Sequence, residues 1–184
     1  MVSLWIHKYN MNFKLWESSL VDLYQSAVDA FPQTTLRQHA TQPIKITNLR
    51  WIPYKGMKTL FIRGLAQNEE REYSPIVLFK RVRYRDELDE GVVAIIASNG
   101  EIYNFDKLSL ENTDVLVRCN CPDFKWRFNF YDHLDKSLYG RKRGPYTRLT
   151  EHRPPANPKK MPGMCKHVLK TVEVLKEAGI FDDT

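Results

Sequence analysis

The chain has 184 residues, 42% of them apolar and 27% charged, with a formal net charge of +6. That suffices for one domain, or one domain with an appended piece, around a real core. No apolar run reaches the roughly 20 residues of a membrane span, the N-terminus lacks the apolar stretch of a signal peptide, and three cysteines cannot form a self-contained disulfide framework.

Residues 1–16 interleave aromatic and basic side chains (Trp5, Lys8, Tyr9, Phe13, Lys14, Trp16) with no clear period. They read as an arm that packs on its own domain or docks elsewhere. Residues 17–31 predict a helix: Leu20, Leu23, Tyr24, Ala27, Val28 and Phe31 share one face, Ser18 or Ser19 can cap it, and Pro32 stops it. Residues 32–43 are a polar loop.

From 44 to 118 the pattern changes to short, β-branched and aromatic runs: 58–66, 76–84, 91–97, 101–105 and 114–119. Asn99-Gly100 predicts a two-residue hairpin turn. Five or six strands in an antiparallel sheet or small barrel follow. The run 76–84 would be one strand, with Lys80, Arg81 and Arg83 guarding a sheet edge or solvated face. Residues 122–135 predict an aromatic helix, with Phe124, Phe128 and Tyr131 on one face and Trp126 and Phe130 on another. Asp132, His133 and Asp135 would lie on its exposed polar side. A Pro-rich connector, 136–163, leads to a last helix over 163–177 closed by Gly179. The expected organisation is an arm and helix (1–43), an antiparallel β domain (44–117) and a third segment (118–184). The fold class is α+β.

All three cysteines fall into one pattern: Cys119-x-Cys121, forty-three residues, then Cys165-x-His167. In extended chain, residues i and i+2 point the same way, so the first pair converges. The second pair opens a helix, where backbone N–H groups favour thiolate. Two such pairs make a tetrahedral site for one Zn2+, and four protein ligands leave no open position, so the ion is structural. Arg118 and Lys166 adjoin ligands and either offset the centre's negative charge or are ordinary surface cations.

The pattern C-x-C…C-x-H, carried by RCNCPDF at 118–124 and PGMCKHVL at 162–169, resembles the SWIM zinc finger, a ββα module. The resemblance implies the ligands Cys119, Cys121, Cys165 and His167, with Phe124 packed under the metal. The forty-three-residue gap exceeds the usual insert. Together with Pro155, Asn157, Pro158, Pro162 and Gly163 before the last ligands, this longer form is similar to virion structural proteins of tailed bacteriophages. The likeness covers about 118–176.

Residues 136–160 hold eight cations, namely Lys136, Arg141, Lys142, Arg143, Arg148, Arg153, Lys159 and Lys160, against one acid, Glu151. The rest of the chain is therefore close to neutral. This insert can lie along an acidic neighbouring subunit, grip nucleic-acid phosphates, or stay solvated. There is no phosphate-binding glycine loop, G-x-S-x-G or H-E-x-x-H, and metal ligation is a better use of Cys165 and His167 than a catalytic dyad. The expectation is a non-enzyme with no small-molecule substrate and no membrane. It would be a connector, tail or capsid-associated subunit acting by protein–protein contact, located in the virion and assembled in the host cytoplasm, or intracellular if not viral. The alternative is a DNA-binding zinc protein.

Overall fold

The computed structural model describes residues 18–31, 43–68, 71–147, 149 and 155–182. The aromatic arm, Arg148 and Arg153 lie outside them. Helix α1 (Leu20–Ala30) starts at Ser19, whose hydroxyl accepts from the Asp22 N–H while the Asp22 carboxylate accepts from the Ser19 N–H, a reciprocal capping box. Leu20, Leu23, Ala27 and Ala30 face the core; Tyr24, expected on that face, is exposed.

Eight strands follow among the described residues: β1 (Lys45–Tyr54), β2 (Thr59–Asn68), β3 (Arg71–Tyr73), β4 (Ile76–Phe79), β5 (Tyr84–Arg85), β6 (Val92–Ile96), β7 (Ile102–Asp106) and β8 (Val115–Arg118). They build two antiparallel sheets and no closed barrel. The larger runs β1-β2-β4-β8, with β3 paired to β2 next to β4; the smaller runs β5-β7-β6. The expected strand 76–84 is broken. Phe79 and Val82 are both buried although three residues apart, which one continuous strand forbids. Between them Arg81 takes a left-handed conformation (φ 57°), and the chain crosses to the second sheet. Arg81 also pairs there with the buried Asp114.

The hairpin β6–β7 is also closed differently from the two-residue turn expected. Ala97 N–H donates to Glu101 O and Gly100 N–H to Ala97 O, which makes a three-residue loop, Ser98 to Gly100. Only Gly100 has positive φ there (86°), as a type I turn followed by a left-handed residue requires.

Beyond β8 a π-helical turn, Phe124–Phe128, runs into helix α2 (Asn129–Asp135). The π turn takes up about one extra residue. With Phe124 and Phe128 inward, a regular α-helix would turn Tyr131 inward; here Asn129 and Asp132 are buried instead. The expectation of an exposed Asp132 is corrected accordingly: its side chain is fully buried.

Helix α3 (Lys166–Glu177) packs on β1 and β2 and ends at Gly179 in the left-handed conformation (φ 71°). One cluster of buried side chains joins α1, both sheets, the π turn and α3, including Leu23, Leu60, Phe79, Phe105, Val117, Phe124, Phe128 and Val168. No helix among the described residues is long and apolar enough to cross a membrane.

Candidate metal centre

Strand β8 delivers the first two ligands. Its Val115 and Val117 are buried and anchored to β4, so the chain leaves the sheet at Cys119 in a fixed direction. Cys119 and Cys121 then sit on one side of the backbone, separated by Asn120, whose side-chain oxygen accepts from the Ser74 N–H at 2.7 Å. Immediately after, the chain turns helical, and the Phe124 N–H donates to Cys121 Sγ at 3.3 Å. Phe124 is fully buried, its ring centroid 6.4 Å from that of Phe128. The second pair comes from the start of α3. Cys165 is its N-cap residue, in extended conformation, and His167 lies in its first turn. Both pairs therefore stand where a helix begins and free N–H groups favour negative sulfur.

The four potential ligand atoms lie within 4.8 Å of one another, and all four residues are buried. His167 Nδ1 is 3.9 Å from Cys119 Sγ and 4.0 Å from Cys165 Sγ. A tetrahedral ion with metal–sulfur bonds of about 2.3 Å needs edges of about 3.8 Å, so the set is close to the required size. No disulfide joins the cysteines. Nδ1 is turned to the sulfurs, while Nε2 is buried without a hydrogen-bond partner. Tyr73 of β3 lies over the imidazole, ring centroids 4.5 Å apart, and the Thr171 hydroxyl donates to the His167 carbonyl.

Without a cation the three sulfurs share protons unequally. Cys121 is pushed far down because Cys119 and Cys165 donate to it. Cys119 is pushed up by its bond to Cys121, and Cys165 by burial. A divalent cation would displace the protons from these sulfurs. Three buried sulfurs and a buried imidazole, all within 4.8 Å of one another, fit one metal ion.

The stretch between the ligand pairs is pinned at both ends. After α2, residues 137–139 pair with the open edge of β8: Val117 N–H donates to Ser137 O and Tyr139 N–H to Val117 O. Arg118 then donates to the Tyr139 and Arg141 carbonyls, at 2.9 and 3.1 Å. The buried Asn129 accepts from the Arg143 N–H at 2.7 Å. Arg118 therefore holds the outgoing chain rather than the ligand charge. Gly140 (φ 76°) is needed here, because a Cβ would meet the Arg118 guanidinium at 3.2 Å.

The returning chain is organised by buried Asn157, which donates to the Arg127 and Met161 carbonyls and accepts from the Met161 N–H. Arg127 is locked between the Asp123 carboxylate (2.6 Å), the Ala156 carbonyl and the face of Phe31. Gly163 is packed so closely that a Cβ would stand 2.8 Å from the Phe128 ring, and its N–H donates to Asp132 at 2.8 Å.

Of the basic residues singled out above, Arg141, Lys142 and Arg143 are exposed, and their side chains have no hydrogen-bond or ion-pair partner among the described residues. Lys160 is exposed in a left-handed conformation (φ 57°). Lys159 is already engaged, donating to the Asp29 carbonyl at the end of α1. Arg148 and Arg153 lie outside the described residues. Sequence reasoning missed Tyr73, Asn120, Asn129 and the true role of Arg118. No family model, curated protein or solved structure matches this chain.

Proposed function

We propose that Cys119, Cys121, Cys165 and His167 hold one Zn2+ permanently, and that the protein is a non-enzymatic interaction protein stapled by that ion. The observation that carries this is the closed and buried donor set. Three thiols and an imidazole fill the four positions of a tetrahedron from the inside of the protein, which leaves no site for water or substrate. Sulfur-rich tetrahedral sites favour zinc over the hard cations. The ion joins the end of β8 to the start of α3, so it fixes where the chain departs into its excursion and where it returns. That excursion is the working surface.

The likeness of the two ligand halves to the long-insert SWIM form supports the setting we propose: a component of a tailed-bacteriophage particle acting through protein–protein contacts. A second reading, a protein that contacts nucleic acid through the same surface, is favoured by the exposed cations Arg141, Lys142 and Arg143, whose side chains have no partner among the described residues. Elemental analysis by mass of protein purified without chelator tests the metal. One equivalent of zinc is expected, lost in Cys119→Ser together with a lower thermal midpoint. Less than half an equivalent, or an unchanged midpoint in Cys119→Ser, overturns the reading. Recovery of the chain at fixed stoichiometry in purified particles tests the setting.

A further inference from the structure

Trp126 and Tyr146 are distant in sequence but meet on the surface. Trp126 projects from the π turn that follows the first ligand pair; Tyr146 belongs to the excursion. Their ring centroids are 5.6 Å apart at an interplanar angle of 59°, yet 45% of Trp126 and 46% of Tyr146 remain exposed. Lys125 Nζ lies 4.2 Å from the Trp126 ring centroid. Between the two rings in sequence come Arg141, Lys142 and Arg143, exposed and without side-chain partners among the described residues, on a backbone already held by Arg118 and Asn129. Ordering that segment adds no cost at the moment of binding. The only acids from 124 to 147 are Asp132, which is buried, and Asp135. The segment from 124 to 147 thus combines exposed cations with an open aromatic pair.

An acidic protein arm would satisfy the cations and make little use of the rings. A duplex would offer phosphates but keep its bases in the stack. A single strand supplies both, since phosphates meet Lys and Arg while unstacked bases lie on aromatic faces. We infer that Trp126, Tyr146, Lys125, Arg141, Lys142 and Arg143 form a binding site for single-stranded nucleic acid. This rests on the second reading above, nucleic-acid contact through the excursion, and narrows its partner class.

Fluorescence anisotropy with the full zinc-loaded chain and a labelled oligo-dT of about 20 nucleotides tests it, since single-strand sites span roughly 4–16 nucleotides. A duplex of equal length and a polyglutamate peptide are the competing partners. Oligo-dT binds most tightly of the three. Trp126→Ala weakens it about tenfold, within the range of one lost stacked base, and leaves the salt slope unchanged. Trp126→Phe keeps most of the affinity. Changing Arg141, Lys142 and Arg143 together to Ala lowers the logarithmic salt slope by about 2, since each phosphate contact on a single strand contributes about 0.7. Tyr146→Ala, on the loop, repeats the stacking test without touching a helix. Equal or tighter binding of duplex or polyglutamate, or full affinity in both ring variants, overturns the inference. Loss of oligo-dT binding by protein that holds its zinc sinks this site alone; absence of zinc from the wild type sinks the metal reading instead.

Discussion

Asp132 is a carboxylic acid with no exposed surface, placed on the inward side of α2. One oxygen accepts from the Gly163 N–H; the other has no hydrogen-bond partner. Burial pushes its pKa well above the usual carboxylate range, the Gly163 bond opposes this, and the charge of Asp135 adds to the rise. The folded protein therefore holds this proton more tightly than the unfolded chain does. Below the ordinary carboxylate range both states are protonated and the contribution to stability is complete. As pH rises the unfolded chain ionises first, and that stability is lost on the way to the folded pKa. Asp132→Asn keeps the acceptor for Gly163 and removes the ionisable proton. The variant should melt above the wild type at pH 8, with the difference shrinking on titration toward pH 4. A difference that is flat with pH, read as paired thermal midpoints, would show that Asp132 carries no such cost.

At the scale of elements, the exit strand 137–143 depends on one side chain from the neighbouring strand. Arg118 closes two carbonyls that β8 itself cannot reach, and Asn129 closes one N–H. Arg118→Ala should leave the sheet and the four-residue centre in place, because Val115 and Val117 hold β8. It should free residues 139–143, which contain three trypsin sites. Cleavage after Arg141, Lys142 and Arg143 should accelerate severalfold while the thermal midpoint falls by only a few degrees, as expected for a change of about 1 kcal/mol. Unchanged proteolysis would mean that the segment is held by something other than Arg118.

Periodicity made α1, α3 and the central strands legible. Their burial follows the chain's own pattern, as in Leu20, Leu23 and Ala27 or in Val77 and Phe79. It failed where a local irregularity shifts the phase. The left-handed Arg81 divides 76–84 between two sheets, and the π turn brings Asp132 inward in place of Tyr131. Neither event changes the composition of its segment, so neither leaves a mark on a hydrophobic pattern.

For the whole molecule, the ligand set could be found in the sequence because its residue types are rare and their spacing is chemical. Two pairs, each i and i+2, contain every cysteine in the chain. The partners that fix the set could not. Tyr73 and Asn120 meet it through strand pairing more than forty residues apart in sequence, as the Asn120–Ser74 bond shows. This long-range dependence decides what metal removal should do. The four candidate ligands bring β8 and α3 together, and both ends share one buried cluster with α1 and the two sheets, so release of an ion held there cannot be confined to a loop. Structural zinc contributes on the order of 10 kcal/mol in small metal-dependent domains, comparable with the whole stability of an ordinary domain. A chain of this size has a core of its own, so part of the fold should survive. Chelation at neutral pH should lower the thermal midpoint by more than about ten degrees, since each kilocalorie per mole shifts a chain of this length by about 2–4 °C. Hydrogen exchange should locate the first loss of protection in α3 and residues 137–143, before β1 and β2. Uniform loss across the chain would show that the ion supports the entire core rather than the clamp, and an unshifted midpoint would mean that the four residues hold nothing that matters to folding.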